Sequence, residues 1–393
     1  MNREIVLAAP VRTPIGRFGG ALSKLTAVDL GVTVARAAME RAHLPPDAVG
    51  QVIFGHARTA GCGPNPARQV GFRAGIPVEV PAYSINQACL SGLQAVLAAA
   101  RAVALGEAEI VLAGGMESMS RVPYLLPDVR WGLRMGHREI VDAMSKDGFL
   151  DPLSGMIMGE TAEVLAKRYS ISRSAQDAYA ALSQGRCEQA RRSGRFRDEI
   201  VPVEMRDGKQ TIVVEHDEHP RDGVTEASLA KLPPVFDEGG TITAGNSSGI
   251  TDGAAAMLVL SKEAAARQGI RPVARIVASR VVGVAPEMMG IGPVPAVRGA
   301  LAASGLALAD VDLVELNEAF AAQVLAVEKD LSLDRERLNV NGGAIALGHP
   351  IGCSGARVLV TLLHEMSRRG ARLGLATLCV SGGMGGALIV ERA

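Results

Sequence analysis

The sequence has few aromatic residues and few cysteines, and no two cysteines have the spacing of a metal-binding pair. Aromatic side chains make up 3% of the 393 residues, and five cysteines are scattered along the chain at positions 62, 89, 187, 353 and 379. Because no Cys-x-x-Cys pair occurs, we do not expect a zinc site built from cysteine and histidine. An odd number of dispersed cysteines in a long chain is typical of reduced thiols, so we expect a cytoplasmic protein without a disulfide framework.

The sequence also lacks an excess of charge, a secretory signal and a long apolar run. Lysine plus arginine and aspartate plus glutamate both number 41, so the total charge indicates neither nucleic acid nor a membrane surface as a partner. The N-terminal stretch MNREIVLAAPVRTPIGRFGG contains no apolar segment with a signal-peptide cleavage site. No uninterrupted apolar stretch of about 20 residues occurs, and we therefore expect no membrane span.

What the sequence does contain is an internal repeat. Residues 38–55 and 300–317, an offset of 262 positions, share a helical pattern, a short polar link and an apolar strand. About the same offset relates residues 85–116 to residues 340–384. Both of these segments pass from a turn with asparagine to a Ser-Gly at the start of a helix, and both end in an apolar strand with Gly-Gly-Met. We therefore predict an α/β protein of two similar βα halves, whose sheets are covered on both faces.

Residues from about 120 to 248 have no counterpart in the repeat. This segment is richer in charge, methionine and proline than its flanks, and residues 159–194 have a helical pattern. We expect an N-terminal half of residues 1–119 plus 249–272, an inserted subdomain of residues 120–248, and a C-terminal half of residues 273–393. Loops mounted on a rigid scaffold often carry specificity, and a plain solvated extension is the alternative.

Cys89, in the stretch INQACLSG, is the first candidate for chemistry. It stands at the start of an apolar helix, where unpaired N–H groups and the helix dipole favour a thiolate. A thiolate is a nucleophile at neutral pH. The alternative is a small buried core residue, which is how a cysteine beside leucine and alanine is commonly used.

A glycine-rich segment, residues 339–355, places His349 directly before a predicted helix. Its many glycines indicate tight turns or the close approach of another group. The imidazole of His349, held between Gly348 and Pro350, is a suitable base for a thiol near neutral pH. A phosphate cradle is the alternative interpretation, although a P-loop is disfavoured because the pattern GxxxxGK[ST] is absent.

Two further strand ends carry reactive or polar side chains. Cys379 ends an apolar strand and precedes a glycine turn, a place where α/β sheets often carry an active site, and a core cysteine is again the alternative. Asn317 follows another apolar strand and is suited to hold a water molecule or a carbonyl oxygen. The neighbouring Glu318 is more simply explained as a charge at a helix N-terminus.

These four segments together resemble the signature segments of the thiolase family. They are NxxCxSG at residues 86–92, NEAF at 317–320, GHPxGxSG at 348–355 and CxxGG-M-G at 379–385. The resemblance covers essentially the whole chain. It implies the thiolase fold, in which two repeated halves form a layered α/β/α/β/α core. It also implies an acyltransferase that makes or breaks the bond between the α and β carbons of a 3-ketoacyl-CoA.

The resemblance further implies a role for each candidate residue. Cys89 matches the nucleophile that carries the acyl group in a ping-pong mechanism, His349 matches its activating base, and Cys379 matches the residue that moves the proton at the α carbon. Asn317 matches the residue whose bound water forms an oxyanion hole with His349. The backbone N–H groups of Cys89 and Ser381 match a second oxyanion hole. No metal or redox cofactor is implied, since coenzyme A is a substrate and a product.

The family also implies a CoA-binding surface that lies mostly on the insert. The matching positions are Met158, Arg221, Phe236, Ala244, Ser248, Met289, Ala319 and Phe320. Arg221 is suited to a CoA phosphate, whereas the methionine and phenylalanine positions have ordinary core packing as their alternative. Family members are usually dimers or tetramers, so we expect a homo-oligomer.

Two positions depart from the pattern of short-chain acetoacetyl-CoA thiolases. Ile157 stands where many of them have histidine, and Ser381 stands where the turn is often glycine. Because serine tolerates positive φ poorly, we expect a slightly reshaped oxyanion hole, with room for a longer, branched or dicarboxyl acyl group. The resemblance favours a reversible acetyl-CoA C-acyltransferase. The alternatives are a degradative 3-ketoacyl-CoA or 3-oxoadipyl-CoA thiolase, a ketoacyl synthase, and a non-catalytic lipid-binding protein of the same fold.

Overall fold

The computed structural model describes residues 3–208 and 210–393 and contains fourteen β-strands and eleven α-helices within them. The strands are β1 Ile5–Arg12, β2 Gly16–Arg17, β3 Gln51–Gly55, β4 Ala82–Ile85, β5 Ile110–Ser118, β6 Tyr124–Leu125, β7 Val141–Asp142, β8 Val203–Asp207, β9 Gln210–Val214, β10 Thr251–Ser261, β11 Ala274–Gly283, β12 Leu313–Leu316, β13 Leu373–Val380 and β14 Met384–Arg392. The helices are α1 Ala27–Arg41, α2 Pro66–Arg73, α3 Ser91–Leu105, α4 Met158–Arg168, α5 Arg173–Arg192, α6 Glu226–Leu229, α7 Lys262–Gln268, α8 Pro293–Ser304, α9 Ala321–Leu331, α10 Ala344–Leu347 and α11 Ile351–Arg369.

The main sheet consists of two halves with the same topology. The N-terminal half has the strand order β4-β3-β5-β10-β1, and the C-terminal half has the order β12-β13-β14-β11. In each half one parallel pair, β3 with β5 or β12 with β13, is followed by two antiparallel pairs. A parallel bridge between Val314 and Leu338 takes the place that β4 has in the first half. The predicted repeat is thus confirmed, and antiparallel pairing of β1 with β11 joins its two copies.

The two halves of the sheet enclose a central layer of helices. Leu93 on α3 and Leu359 on α11 belong to one buried cluster with Met257 on β10 and Leu388 on β14. Helices α1, α2 and α7 cover the outer face of the N-terminal half, and α8 and α9 cover the outer face of the C-terminal half. The predicted α/β/α/β/α layering is therefore confirmed, and both strand faces are covered as continuous apolar strands require.

Helix α3 carries an apolar window that is long enough to cross a membrane. The window Ala88–Leu105 is the one such helical stretch among the described residues, by length and composition only. Within the protein 56% of it is buried, because α3 packs between the two sheet halves. A helix in the core of a layered fold is also long and apolar, so the position of α3 in the core accounts for this window.

The insert interrupts the repeat between β5 and β10. That connection runs from residue 119 to residue 250, whereas the corresponding connection between β13 and β14 is only Ser381–Gly383. Helices α4 and α5 lie within or next to residues 159–194, as the sequence pattern predicted. The insert also supplies the small antiparallel pairs β6-β7 and β8-β9.

A buried ion pair ties the insert to the N-terminal half. Arg12 on β1 donates to Glu199 Oε1 at 2.6 Å and to Asp217 Oδ1 at 2.6 Å, and its side chain is fully buried. Asp217 also accepts from the backbone N–H of Ile15 at 2.8 Å. Because two insert carboxylates share one guanidinium, this part of the insert is fixed against β1.

Candidate active site

Cys89 lies in a tight turn directly before α3. The turn Ala88–Leu90 is a single 3₁₀ turn, and Ala88 adopts a left-handed conformation with φ of 46°. The hydroxyl of Ser91 donates to the carbonyl of Ala88 at 2.7 Å and accepts from the N–H of Gln87 at 2.8 Å. Asn86 Oδ1 accepts from the N–H of Ala88 at 3.0 Å. These bonds satisfy backbone groups before the helix and present the Cys89 side chain at its start.

His349 contacts the sulfur of Cys89. Its Nε2 atom lies 3.2 Å from Cys89 Sγ, and its Nδ1 atom lies within hydrogen-bond distance of Ser354 Oγ. The Ser354 hydroxyl donates its single proton to the carbonyl of Pro350 at 2.9 Å, so it accepts from Nδ1–H. This arrangement fixes the tautomer in which Nε2 is unprotonated and faces the thiol. Sequence analysis missed Ser354, although it belongs to the GHPxGxSG segment.

Burial keeps both members of the pair uncharged. It lowers the pKa of His349 to about 3, and the charges of Arg357 and Arg58 act in the same direction. Burial also raises the pKa of Cys89, which outweighs the charge of Arg58 and the N–H of Ser381. The direction of this pKa shift disfavours the predicted thiolate in the free protein, because desolvation exceeds the effect of the helix N-terminus. The resting pair is a thiol facing a neutral imidazole.

Close backbone approaches hold His349 in this position. Its N–H donates to the carbonyl of Gly249 at 3.0 Å, and Gly348 before it has a φ of 97°. A Cβ on Gly348 would overlap the side chain of Thr251. This glycine of the segment thus serves a tight turn and a close approach directly before His349, as the sequence predicted.

The carboxylate of Glu318 holds the glycine-rich segment in place by hydrogen bonds. Its oxygens accept from Tyr179 Oη at 2.8 Å, Ser183 Oγ at 2.7 Å, Asn339 Nδ2 at 2.9 Å and the N–H of Ile345 at 3.1 Å. The side chain is completely buried. The interpretation of Glu318 as a charge at a helix N-terminus is wrong, because these four donors occupy its carboxylate.

Cys379 lies at the end of β13, on the opposite half of the protein from Cys89. Burial raises the pKa of its thiol, and the electrostatic interaction with the nearby Cys89 thiol group acts in the same direction. In the following turn Gly382 and Gly383 have φ of 83° and 79°, whereas Ser381 does not have positive φ. The reason for expecting a reshaped oxyanion hole at Ser381 is therefore wrong, because the left-handed positions of the turn fall on the two glycines.

Asn317 follows β12 and is completely buried. Neither its Oδ1 nor its Nδ2 atom has a hydrogen-bond partner in the protein. Buried amides are nearly always hydrogen-bonded, so these two atoms indicate a place for a water molecule or a ligand oxygen. Unlike the other predicted residues, Asn317 is not among the residues that line the cavity described next.

One cavity of about 490 Å³ brings the predicted residues together. Cys89, His349, Cys379 and Ser381 line it, so the two sulfurs from opposite halves share one space. All eight positions that the resemblance assigned to CoA binding also line it: Met158, Arg221, Phe236, Ala244, Ser248, Met289, Ala319 and Phe320.

Two apolar clusters contribute to the wall of the cavity. Cys89 and Phe149 pack against a cluster that contains Ile351. Cys379 packs in a second cluster with Phe236 and Phe320, whose rings meet edge to face at 6.4 Å. The two thiols therefore belong to different apolar clusters of one cavity.

Several residues of the cavity were missed by the sequence analysis. They are Arg58, Gly148, Phe149, Gly159, His219, Val235, Ser247, Gly249, Ile250 and Ile351. His219 stands two positions before Arg221, and Ile351 lies inside the GHPxGxSG segment, so both had a signal. Arg58 and Phe149 had none, because no pattern in the sequence connects residues 58 and 149 with Cys89.

Glu117 is a further missed residue, which supports the site without lining the cavity. It accepts hydrogen bonds from the N–H groups of Ala57 and Gly352 at 3.1 and 2.8 Å, and it pairs with His56 at 3.1 Å. Gly352 lies in the first turn of α11, three residues after His349. Glu117 therefore joins the strand β5 of one half to the helix α11 of the other.

Comparison with protein families gives the same two-part division. Residues 5–263 match the model of the thiolase N-terminal domain, and residues 270–392 match the model of the thiolase C-terminal domain. The chain is 53% identical to an acetyl-CoA acetyltransferase of Thiocystis violacea over the full length of both chains. It is 50% identical to an acetyl-CoA acetyltransferase of Cupriavidus necator, and the match covers 99% of each chain.

Solved structures agree with these sequence matches. The acetyl-CoA acetyltransferase of Bacillus anthracis has a TM-score of 0.98 and 47% identity, with both chains fully covered. Human mitochondrial 3-ketoacyl-CoA thiolase in complex with CoA has a TM-score of 0.95 and 45% identity, covering 100% of this chain and 98% of that one. With the repeated fold, the signature segments and these matches in agreement, the chain belongs to the thiolase family.

Proposed function

We propose that this thiolase is an acetyl-CoA C-acetyltransferase, which condenses two acetyl-CoA molecules to acetoacetyl-CoA and CoA and also catalyses the reverse thiolysis. The observation that carries the proposal is the 3.2 Å contact of His349 Nε2 with Cys89 Sγ in a cavity that Cys379 also lines. The names of the bacterial relatives favour this activity over a degradative thiolase for longer chains. A thiol, a base and a second thiol are the groups that acyl transfer with carbon–carbon cleavage requires.

In thiolysis, Cys89 attacks the 3-keto carbon of acetoacetyl-CoA while His349 Nε2 accepts the thiol proton. The bond between C2 and C3 breaks, and the departing acetyl-CoA enolate takes a proton from the Cys379 thiol. The raised pKa of Cys379 suits this role, because the residue rests in the protonated form. Since burial disfavours an imidazolium at His349, its proton passes to the Cys379 thiolate. The products of this half-reaction are acetyl-CoA and acetyl-Cys89.

In the second half-reaction CoA replaces the enzyme thiol. His349 accepts the proton of the CoA thiol, the CoA sulfur attacks the acetyl carbonyl, and the Cys89 sulfur leaves with that proton. A new thioester forms as the old one breaks, and both cysteines end as thiols. Condensation follows the same steps in reverse, with Cys379 removing the α proton of the second acetyl-CoA.

We assign two groups of donors to the stabilisation of the oxyanions. The N–H groups of Ser381 and Cys89 both lower the pKa of the Cys89 sulfur by hydrogen bonding, so they converge on the reacting atom. Asn317 has two unpartnered polar atoms, which suits it to position a water beside His349. Removing one such donor typically costs about 3 kcal/mol of transition-state stabilisation.

We assign CoA binding to the cavity residues of the insert and of the C-terminal half. Arg221 lines the cavity and is exposed, which suits a phosphate, and its backbone N–H donates to Gln184 at 3.1 Å. The apolar cluster with Phe236 and Phe320 suits the pantetheine arm. On this basis we keep residues 120–248 as the CoA-binding insert between halves 1–119 plus 249–272 and 273–393.

Assembly and location are part of the same proposal. Trp131, Leu133 and Met135, between β6 and β7, are 86%, 65% and 99% exposed in the single chain. An exposed apolar segment of this kind suits a subunit interface, so we propose a homo-oligomer. The five cysteines are free thiols, which fits a reducing cytoplasm. Light scattering of the purified protein measures the subunit number directly.

The test of the activity is turnover combined with mass spectrometry. Purified protein should cleave acetoacetyl-CoA with CoA, and with acetyl-CoA alone it should acquire one acetyl group on the peptide that contains Cys89. The Cys62→Ser variant is the matched control, because this free thiol lies outside the cavity, and it should acetylate normally. The proposal is rejected if neither turnover nor an adduct on Cys89 is detected with intact protein.

A further inference from the structure

A second pair of a thiol and an imidazole lies in a cavity next to the active site. His56 and Cys62 both line a cavity of about 430 Å³, which shares the wall residue Arg58 with the active-site cavity. Cys62 is partly exposed, as Cys89 is, whereas the other three cysteines are buried. The proposed acyl transfer uses Cys89 and leaves Cys62 without a role.

The imidazole of His56 is fixed at one nitrogen and open at the other. His56 is 1% exposed, and its Nε2 atom pairs with Glu117 Oε1 at 3.1 Å. Glu117 accepts from the backbone N–H groups of Ala57, Arg58 and Gly352 and does not line the second cavity. Because Nε2 faces Glu117, Nδ1 is the ring nitrogen on the side of the cavity. This buried atom makes no well-aligned hydrogen bond with any residue that the structure describes, although buried polar atoms nearly always do.

Cys62 supplies a thiol next to this imidazole. The two side chains interact, and both face the same cavity. The sulfur also contacts the carbonyl oxygens of Arg58 and Ala60, at 3.8 and 3.7 Å. Both of these contacts are long, so neither carbonyl holds the thiol proton firmly, and the proton is able to move to Nδ1 of His56. The site thus has a nucleophile, a base and a carboxylate that orients the base.

The carboxylate behind His56 distinguishes this pair from Cys89 and His349. Burial opposes a charge on His56, but the interactions with Cys62 and Glu117 raise its pKa to about 9. Burial lowers the pKa of His349 to about 3. An imidazolium beside a thiol favours the thiolate, which is the form that oxidants attack. The resting protein therefore has a charged imidazole at Cys62 and a neutral one at Cys89.

The walls of the second cavity also favour an anion. Arg58, Arg73 and Arg121 line it together with His56. Asp29 is the one carboxylate of the described lining, and it pairs with Arg73 at 2.6 Å. The lining thus has an excess of positive charge, which stabilises an anion more than its neutral acid.

We infer that Cys62 is an oxidation site, at which a hydroperoxide converts the thiol to a sulfenic acid while the catalytic Cys89 stays reduced. This inference goes beyond the proposed function and does not depend on it. The Cys62 thiolate attacks one oxygen of hydrogen peroxide, and the O–O bond breaks as the S–O bond forms, so that the sulfur loses two electrons to the peroxide. The proton on His56 Nδ1 passes to the departing hydroxide, which leaves as water. Nδ1 then accepts from the O–H of the sulfenic acid and gains the aligned partner that it lacks in the reduced protein.

The test is trapping of sulfenic acids with dimedone while the purified enzyme is exposed to hydrogen peroxide, followed by peptide mapping. In the folded protein Cys62 should be labelled about tenfold faster than Cys89 or any of the three buried cysteines. In urea-unfolded protein the five cysteines should react at similar rates, because the imidazole is no longer held beside Cys62. Folding should therefore accelerate labelling at Cys62 and slow it at the other four. Labelling of Cys89 before Cys62, or slower labelling of Cys62 in the folded protein than in the unfolded one, overturns the inference.

A histidine variant tests the role of the imidazole. His56→Gln keeps an amide for Glu117 and removes the base, so the labelling rate of Cys62 should fall by about tenfold. His137→Gln is the matched control, because His137 lines a different cavity, and Cys62 should be labelled in it as in the wild type. Thiolysis of acetoacetyl-CoA reports whether each variant is folded. An unchanged labelling rate in a His56→Gln protein that keeps thiolysis rejects the pair, and if this variant does not fold, the comparison of folded and unfolded wild type decides.

Discussion

His349 Nε2 lies 3.2 Å from the sulfur of Cys89, although the two residues are 260 positions apart in the chain. Each stands at the N-terminal end of one of the two central helices, α3 and α11. The repeat makes this meeting possible, because equivalent helices of the two halves pack against each other in the central layer. The active site thus forms where α3 of one half packs against α11 of the other, and neither half contains it alone.

We predict that Cys379→Ser separates acylation from condensation. Cys89 and His349 remain in place, so acetyl-CoA should still acetylate Cys89. A serine hydroxyl is a far weaker acid and base than a thiol, so carbon–carbon bond formation should fall by at least about a hundredfold. Mass spectrometry of the intact protein measures the first step and acetoacetyl-CoA formation measures the second. Cys89→Ala, which should abolish both steps, is the control. A normal condensation rate in Cys379→Ser would show that another group moves the α proton.

We predict that Ser354→Ala slows acylation without loss of substrate binding. Ser354 accepts from His349 Nδ1–H and is itself fixed by the carbonyl of Pro350. Without this acceptor the imidazole is free to adopt the tautomer that carries its proton on Nε2, which is unable to accept the thiol proton. We expect kcat to fall by about tenfold to a hundredfold with KM nearly unchanged. A fall in kcat/KM that comes entirely from KM would contradict this role.

We predict that alkylation of Cys89 reports a single, high pKa. Burial raises the pKa of the thiol above its ordinary value and lowers that of His349 to about 3. The rate of reaction with iodoacetamide should therefore keep rising beyond pH 9, with no inflection between pH 5 and 8. Peptide mapping at each pH assigns the label to Cys89. A plateau that begins below pH 7 would indicate a thiolate–imidazolium pair and would contradict the neutral resting state.

The sequence predicts the repeat, the layering and the catalytic pair because these depend on local patterns. Apolar periodicity locates α3 and β13, and glycine clusters locate the turns beside His349 and Cys379. It does not predict the ionisation of Cys89, because the direction in which the pKa of this thiol shifts depends on burial in the assembled fold. It also does not predict Arg58 in the cavity or Glu318 as a buried anchor, because both depend on contacts between distant segments.

We predict that His56 stabilises the fold in a pH-dependent manner. Burial opposes its charge, but contacts with Cys62 and Glu117 raise its pKa from 6.5 to about 9. The folded state therefore binds a proton more tightly than the unfolded state does, and the stabilisation is complete below about pH 6.5 and is lost as pH rises through 9. His56→Gln should lower the free energy of unfolding more at pH 6 than at pH 9.5, as urea titrations at both values would measure. An equal loss at the two pH values would assign His56 a packing role only.

We predict that Arg12 contributes far more to stability than an exposed arginine in a comparable ion pair. Arg12→Met leaves the carboxylates of Glu199 and Asp217 buried without their partner, which typically costs about 3–5 kcal/mol of unfolding free energy. Arg17→Met is the matched control, because Arg17 pairs with Glu218 at 3.0 Å while 66% exposed, and such a pair contributes about 1 kcal/mol or less. Adding Glu199→Gln and Asp217→Asn to Arg12→Met should recover part of the loss, because the uncompensated charges are then removed. If the triple variant is less stable than the single one, the cost of Arg12→Met comes from lost packing rather than from the unpaired carboxylates.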